Sequence, residues 1–388
     1  MHNVRRKVVT IIAGGTGGHI FPAISCFHFL KDKFDICIIT DSRGSKYFDQ
    51  IKKNKKNKFD LIIINSISPY KNGLIQKFKF LLYTLFSVLK SLFILIRTRP
   101  NLLIGFGGYT TVFPCIIGKI IGIKFIIHEQ NAIMGRANKL LERFANSSLV
   151  SFENTMPETN SRKRIFCGTP VRNEFFEDAN NKLKNNKNKK CLNILIFGGS
   201  LGSDFFSEKL PQAFCKIDKN ILNKLQITHQ IINPKINKVK QKYMSHNVSA
   251  SVKKFFNNIH EYYKNADLII CRAGGSTLAE IIVSKIPSII IPFNKALDNH
   301  QMINSRLISN NNLGWVINEN DFDIKYFNKI IKDLVLKKNI LFEKKKKFCS
   351  FNKKISKITN NKLPNQILYD SIMKILSFKQ TKTTGISR

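Results

Sequence analysis

The chain has 388 residues, enough for two domains of ordinary size with a substantial core in each. Its 64 lysines and arginines against 25 acidic residues give a net charge of +39, which usually indicates nucleic acid or an anionic membrane. The lysines are mixed with Asn, Ile and Phe, all residue types with A/T-rich codons, so drift in base composition explains much of the excess and the charge is weak support for a partner.

The cysteines predict neither a disulfide framework nor a zinc site. None of the eight shows Cys-x-x-Cys spacing, and most lie in apolar runs, as Cys37, Cys115, Cys167 and Cys271 do. This pattern is typical of reduced, buried thiols in a cytosol. The N-terminus runs directly into a predicted strand, so we expect no signal peptide.

The first predicted unit is a strand, a glycine-rich loop and a helix. A β-branched run at 8–13 precedes Gly14-Gly-Thr-Gly-Gly-His19, and helical periodicity follows from Phe21 to Leu30. Ile20 stands where the dinucleotide-binding fingerprint needs its third glycine, which counts against a nicotinamide or flavin enzyme. His19 could take a proton from a hydroxyl, or could simply hydrogen-bond the loop.

Further strand-like runs alternate with helical stretches, which predicts a parallel sheet covered by helices. These runs are Asp35 to Thr40, Leu61 to Asn65, Asn101 to Phe106 and Lys124 to His128. Ligands of such sheets bind at the carboxyl ends of the strands. Chemistry is therefore expected at 14–19, at Gly105-Phe-Gly-Gly-Tyr109 and at His128-Glu-Gln-Asn131.

Leu74 to Ile96 is the most apolar segment, and its spacing predicts an amphipathic helix too interrupted by lysine to span a bilayer. The default expectation is a helix whose large apolar face packs on the sheet, with Ser87 on the polar face. Aromatic residues flanked by lysines also suit a membrane surface. A second predicted helix, Met134 to Ala145, places Arg136, Lys139 and Arg143 on one side, which suits anionic headgroups or water.

A polar stretch rich in lysine and asparagine, 180–190, is the best domain boundary. A second strand and glycine loop, Asn193 to Gly202, then repeats the opening pattern. Predicted strands at Gln226 to Ile232, Ser249 to Phe256, Asp267 to Cys271 and Ser288 to Pro292 complete a second α/β domain. We expect an N-terminal domain at 1–178, a linker at 179–190, a C-terminal domain at 191–355 and a final helix and tail at 356–388.

The most informative stretch is Cys271-Arg-Ala-Gly-Gly-Ser-Thr-Leu-Ala-Glu280, which follows a buried strand and opens a helix. Gly274 and Gly275 let the backbone approach a ligand, and the helix start favours a diphosphate. Ser276 or Thr277 could cap the helix. Glu280 could accept hydrogen bonds from a ribose diol, although an ordinary helix start is an equal alternative.

Seven motifs together resemble the MurG family of bacterial glycosyltransferases over roughly the first five sixths of the chain. They are Gly14 to His19, Gly107-Gly-Tyr109, His128 to Asn131, Thr169-Pro-Val-Arg172, Gly198-Gly-Ser200, Cys271 to Glu280 and the segment Pro292 to Gln301. The resemblance implies an α/β GT-B fold of family 28, with two Rossmann-like domains facing across a cleft and a C-terminal helix crossing back.

The activity it implies is inverting transfer of N-acetylglucosamine from UDP-N-acetylglucosamine to the C4 hydroxyl of N-acetylmuramic acid in undecaprenyl-linked lipid I. The product would be lipid II, for peptidoglycan synthesis, made at the cytoplasmic face of the inner membrane by a peripheral protein. No cofactor, metal or nucleic acid is expected.

The resemblance also implies roles for individual residues. His19 is the candidate base, with Glu129 in reserve, and Gly107, Gly108 and Tyr109 lie on the acceptor side. Donor-binding positions are Thr16, Gly17, Gly18, Asn131, Arg172, Ser200, Ile259, Gly275, Ser276, Thr277, Leu278, Ala279, Glu280 and Gln301.

Two departures from the family pattern affect these expectations. The acceptor-side loop is bulkier, because it contains Thr110-Thr-Val-Phe113. The segment after Pro292 has an extra residue, so either His300 or Gln301 could make the expected contact with the sugar. Three alternatives are another GT-B transferase with a lipid acceptor such as diacylglycerol, a nucleotide-sugar epimerase, and a basic nucleic-acid-binding protein. The last leaves the glycine loops unexplained.

Overall fold

The computed structural model describes residues 6–64, 74–158, 163–176, 191–199, 202–232, 234–256, 258–294, 296–337 and 339–377, with backbone alone for 74–83 and 297. They divide into two compact units. The first runs to Arg172 and resumes at Thr359, and the second runs from Asn173 to Ile358. The linker expected at 179–190 lies outside the described residues.

The described part of the first unit is a parallel sheet with helices on both faces. Its strands are β1 (Val8–Ile12), β2 (Asp35–Thr40), β3 (Asp60–Ile63), β4 (Leu102–Gly105), β5 (Lys124–Glu129), β6 (Ser147–Val150) and β7 (Arg164–Phe166), in the order β3-β2-β1-β4-β5-β6-β7. Its helices up to residue 172 are α1 (Gly17–Leu30), α2 (Ser42–Lys52), α3 (Leu74–Thr98), α4 (Val112–Ile120) and α5 (Arg136–Glu142).

The second unit repeats this architecture. Its described strands are β8 (Leu192–Phe197), β9 (Leu225–Gln230), β10 (Ala250–Lys253), β11 (Leu268–Cys271), β12 (Ser288–Ile290) and β13 (Gly314–Val316), all parallel, in the order β10-β9-β8-β11-β12-β13. Its helices are α6 (Asp204–Phe214), α7 (Lys219–Leu222), α8 (Ile236–Ser245), α9 (Ile259–Asn265), α10 (Gly275–Ser284), α11 (His300–Asn310), α12 (Ile324–Leu336) and α13 (Asn339–Ile358).

The last described helix, α14 (Pro364–Ser377), belongs to the first unit. Its residues Leu368 and Ile372 are fully buried in the same apolar cluster as Phe27 of α1. Asn365 also donates to the hydroxyl of Ser25, at 3.1 Å, inside this interface. The chain therefore returns to its N-terminal unit after completing the second one.

Two helix starts differ from the sequence expectation. Helix α1 begins at Gly17, not Phe21, with Thr16 as its N-cap, so His19 lies in the first helical turn. Helix α10 begins at Gly275 with Gly274 as its N-cap, so Ser276 and Thr277 do not cap it. Glycine has low helix propensity, which hides such starts in a sequence pattern. The basic helix is also shorter than predicted, at Arg136–Glu142.

The packing of α3 is opposite to the default expectation for its described side chains, from residue 84 onward. Ser87 and Ser91 are buried, with Ile94 and Leu95, while five large apolar side chains on the other face are exposed. Those five are Leu85, Phe86, Leu89, Phe93 and Ile96, each more than half exposed. The small serines allow close packing, and the Ser91 hydroxyl is satisfied by donating to the carbonyl oxygen of Ser87 at 2.6 Å.

The cysteines are free thiols in the structure, and Cys37, Cys115, Cys167 and Cys271 are buried as predicted. Burial raises the pKa of the Cys37 thiol to about 12. The described helices include none that is both long and apolar enough to cross a bilayer.

Candidate active site

In the first unit, the loop after β1 is held against the end of β2. The backbone amide of Gly15 donates to Oδ2 of Asp41, at 2.9 Å, and Gly15 has a φ of +90°. Asp41 also caps α2 and pairs with Arg43. This leaves Thr16 exposed, Gly17 buried and Gly18 partly exposed at the start of α1.

The loop after β4 lies directly beside His19. Gly107 has a φ of +104°, and a Cβ there would be 2.9 Å from Cε1 of His19 and 3.0 Å from its Nδ1. Gly108 is equally constrained, because its Cβ would be 2.8 Å from the carbonyl oxygen of Gly14. Both glycines are needed for this close approach. Tyr109 follows, partly exposed.

The bulk that this chain adds after Tyr109 is directed inward. Thr110 and Thr111 are buried, and a Cβ at Gly14 would fall 2.1 Å from the hydroxyl oxygen of Thr110. The hydroxyl of Thr111 donates to the carbonyl oxygen of Gly108, at 2.7 Å. The threonines therefore fill space beside the glycine loop.

His19 contacts the end of β5 through one ring nitrogen. Its Nδ1 lies 2.7 Å from Oε1 of Gln130, and Nε2 has no hydrogen-bond partner among the described residues. The ring is partly exposed, so Nε2 is the nitrogen able to meet a substrate hydroxyl. Gln130 is buried and in turn contacts His128, whose pKa burial lowers to about 4.

Glu129, the reserve base, is fully buried and its carboxylate is already saturated. Oε1 accepts from the backbone amide and the side-chain amide of Asn131, and Oε2 accepts from the amides of Gly135 and Asn138, all at 2.9–3.0 Å. Four donors fix the position of the side chain. This geometry makes Glu129 the anchor of the loop that carries Asn131.

In the second unit, the glycine loop after β8 is equally tight. The amide of Gly198 donates to Oε1 of Gln230, at 3.2 Å, and a Cβ at Gly198 would lie 2.6 Å from the amide nitrogen of Ser203. Gly202 has a φ of +73°. Ser203 then caps α6 by accepting from the amide of Phe206. Ser200, the expected diphosphate contact, lies outside the described residues.

The glycine turn before α10 presents the start of a helix at the end of β11. The first backbone amides of a helix have no intrahelical acceptor, so Gly275, Ser276 and Thr277 can donate to an anion. Leu278 is buried and Ala279 partly exposed within the next turn. Asn304 supports the turn, since its side-chain amide donates to the carbonyl oxygen of Ala273 at 2.9 Å.

Glu280 lies one turn into α10 and is 8% exposed. The hydroxyl of Tyr263 donates to its Oε2 across 3.4 Å. Ile259 opens α9, the helix that carries Tyr263, and is partly exposed. The predicted ribose and base contacts therefore belong to neighbouring elements of one unit.

Arg272 ties the two glycine loops of the second unit together. It is buried, donates to the Ser203 hydroxyl at 2.8 Å and forms a two-point pair with Glu319 at 2.9 and 3.1 Å. It also donates to the carbonyl oxygens of Ile291 and Pro292. No role for Arg272 was predicted from the sequence, although its place inside the glycine motif was a signal.

Gln301 and Arg172 complete the predicted set. Oε1 of Gln301 accepts from the amide of Phe293, at 3.0 Å, so this side chain shapes the turn after β12. His300 is partly exposed at the start of α11. The guanidinium of Arg172 lies 5.3 Å from the ring centre of Phe21 in the first unit. The described residues contain no group of three or more His, Cys, Asp or Glu side chains able to hold a metal ion.

Comparisons with known proteins identify the family of this chain. Residues 9–150 match the glycosyltransferase family 28 N-terminal domain and residues 193–360 match the family 28 C-terminal domain. A relative from Rickettsia canadensis is 33% identical over 86% of this chain and 92% of its own length, and one from Rickettsia bellii is 32% identical over 92% and 98%. Both are named UDP-N-acetylglucosamine--N-acetylmuramyl-(pentapeptide) pyrophosphoryl-undecaprenol N-acetylglucosamine transferase.

The crystal structure of Acinetobacter baumannii MurG is similar in fold, with a TM-score of 0.69 at 24% identity, over 95% of this chain and 99% of that one. It confirms the expected GT-B class of two parallel-sheet α/β domains. With two family domains and relatives matched over nearly their whole length, the chain belongs to glycosyltransferase family 28, in its MurG group.

Proposed function

We propose that this protein transfers N-acetylglucosamine from UDP-N-acetylglucosamine to the C4 hydroxyl of N-acetylmuramic acid in undecaprenyl-linked lipid I, forming lipid II. The observation that carries this proposal is the match, over 92% and 98% of their lengths, to relatives that bear the name of this transferase. The glycine turns at the strand ends of both units support it, because they are suited to a nucleotide diphosphate and an approaching sugar.

In this proposal the second unit binds the donor. The α10 start stabilises the departing diphosphate with backbone amides, and Glu280 accepts hydrogen bonds from the ribose. Arg272 holds Ser203 and the turn after β12 in fixed relation to that start. Such preorganised donors lower the barrier without reorganising during the reaction.

His19 is the general base. The acceptor oxygen attacks the anomeric carbon, the bond to the diphosphate breaks, UDP leaves, and the proton passes to Nε2 of His19. A single displacement inverts the anomeric centre. A retained anomer in the product, or a covalent glycosyl-enzyme, would refute this step.

The test is transfer of labelled N-acetylglucosamine from its UDP donor to a lipid I analogue. His19→Ala should lower kcat by at least ~100-fold, because the base is lost, with little change in donor affinity. His28→Ala, on the exposed side of the same helix, is the matched control and should retain full activity. Donor consumption without acceptor would indicate an epimerase, and transfer only to diacylglycerol would indicate a different transferase.

We further propose that the exposed apolar face of α3 contacts an anionic membrane surface, which would place the enzyme peripherally at the cytoplasmic face of the inner membrane. Exposed contiguous apolar side chains are typical of such surfaces. Helix α4 packs beside α3, and α5 contacts α4. The exposed basic residues Arg136 and Lys139 on α5, with Arg143 at its C-terminal cap, supply charge near this face.

Sedimentation with vesicles tests the membrane proposal. Wild type should bind vesicles containing phosphatidylglycerol more than neutral ones, and the binding should weaken with salt. Leu89→Gln combined with Phe93→Gln should lose most of this binding. Met244→Gln replaces an even more exposed apolar side chain, in the second unit, and should bind as wild type does. Equal binding by all three proteins would contradict a role for α3.

A further inference from the structure

A buried chain of hydrogen bonds connects His19 to the interior of the first unit. Nδ1 of His19 lies 2.7 Å from Oε1 of Gln130, and Nε2 of Gln130 lies 3.0 Å from Nδ1 of His128. Nε2 of His128 lies 3.0 Å from the carbonyl oxygen of Gly168. Gln130 and His128 are at most 1% exposed, so water does not substitute for these contacts.

The orientation of the Gln130 amide is fixed by a backbone group. Its Nε2 also lies 3.0 Å from the carbonyl oxygen of His128. A carbonyl oxygen only accepts hydrogen bonds, so the NH₂ group must face it. In the flipped orientation two buried oxygens would face each other without a proton. Oε1 of Gln130 therefore points to His19 and can only accept from it.

The protonation of His128 is fixed in the same way at the other end. The carbonyl oxygen of Gly168 requires a proton on Nε2 of His128. Burial lowers the pKa of His128 to about 4, so the ring is neutral near pH 7. A neutral imidazole with a proton on Nε2 has a bare Nδ1, which accepts the second N–H of Gln130. The contacts at both ends of this series of hydrogen bonds thus require the same arrangement of protons.

We infer that Gln130, oriented by His128, holds neutral His19 in the tautomer that carries its proton on Nδ1 and leaves Nε2 bare. An imidazole without such a partner exchanges between two tautomers, only one of which has an accepting Nε2. Gln130 and His128 are therefore positioning residues. The consequence for catalysis rests on the proposed function, whereas the tautomer does not.

Long-range proton–nitrogen NMR spectra of the nitrogen-15-labelled full chain test the tautomer without substrate. The chain has eight histidines, so the signals of interest are assigned with His19→Ala and His128→Phe. At a pH where both rings are neutral, we expect the His19 proton on Nδ1 and the His128 proton on Nε2. A His19 ring protonated on Nε2, or divided equally between the tautomers, would overturn the inference. The decisive signals are those of His19, so His19→Ala, at a partly exposed position, is the only variant whose folding this test requires.

Gln130→Leu tests the link to catalysis. It removes the acceptor at similar size, so His19 should lose its Nδ1 preference and kcat should fall about 10-fold, the value of one hydrogen bond, with KM for the UDP donor unchanged. Ser148→Ala is the control, since it removes a buried hydroxyl that has no hydrogen-bond partner in the described structure. An unchanged tautomer in Gln130→Leu would refute the role of Gln130.

The two proposals fail separately. The expected tautomers in a protein without transferase activity would support the positioning role of Gln130 and reject the proposed function. Transfer activity in a protein whose His19 is protonated on Nε2 would support the proposed function and reject the positioning role of Gln130.

Discussion

Replacing Arg272 by methionine should destabilise the second unit strongly. The side chain of Arg272 is 10% exposed and that of its partner Glu319 is 19% exposed. Removing one member of a buried ion pair strands the other charge, which costs about 3–5 kcal/mol. The loss of the hydrogen bond to Ser203 adds to this, although such terms are not additive within one network. We therefore expect the free energy of unfolding to fall by about 4 kcal/mol.

Tryptophan fluorescence measures this change in the second unit alone. Trp315, on β13, is the single tryptophan of the chain and lies in the unit that contains Arg272. With a urea dependence of about 2 kcal/mol per molar, the midpoint should fall by about 2 M. Arg306→Met removes an exposed arginine of the same unit and should change the free energy of unfolding by no more than about 0.5 kcal/mol.

The double variant Arg272→Met with Glu319→Leu separates charge from packing. If the stranded carboxylate causes the loss, removing it as well should restore the free energy of unfolding to within about 2 kcal/mol of wild type. A single variant that costs less than about 1 kcal/mol, or a double variant no more stable than the single one, would refute the reasoning.

Two further predictions follow from the described contacts. Gly107→Ala should reduce kcat by about 10–100-fold, because the new Cβ would lie 2.9 Å from His19 Cε1 and displace the ring. Gly122→Ala is the control, since Gly122 also has a positive φ but has open space around it. It should lower the free energy of unfolding in urea by only about 1 kcal/mol and leave kcat unchanged. Burial lowers the pKa of His229 to about 3, so below pH 6.5 the unfolded state binds a proton that the folded state does not. His229 should therefore lower the free energy of unfolding of the second unit by about 1.4 kcal/mol for each pH unit from pH 6 down to pH 3. His229→Phe should make this pH dependence weaker when unfolding is followed by Trp315 fluorescence. The same pH dependence in wild type and variant would contradict the prediction.

Local patterns predicted the strands that contain an apolar run, including the three-residue β12, and missed β6, β7 and β13. The run Asp35 to Thr40 matches β2 in both bounds, and its residues after Asp35 are buried. Strands β6 and β13 have four and three residues and no β-branched run, so nothing local marks them. They form because a neighbouring parallel strand supplies hydrogen bonds, as β5 does for β6. Such tertiary support does not appear in a sequence window.

The same distinction applies to the site. Contiguous motifs at strand ends located the glycine turns, because the carboxyl ends of parallel strands meet at one edge of a sheet. The contact between His19 and Gln130 joins residues 111 positions apart and was not predicted. Arg272 and Glu319 are 47 positions apart, on different elements. Pairing between distant side chains depends on the register of the sheets, which composition and periodicity leave undetermined.

Helix α3 shows why a correctly recognised helical pattern can still lead to a wrong prediction of which face is buried. Its amphipathic spacing was recognised, but the expectation that the largest apolar side chains face the core assumed that nothing outside the chain would cover them. In the structure Ser87 and Ser91 face inward, and Leu89 and Phe93 are 57% and 64% exposed. Covering such a side chain is worth about 1 kcal/mol or more, so water alone is a poor environment for this face. On a binding surface the large apolar side chains therefore face outward and not toward the core, as the lipid contact proposed for α3 requires.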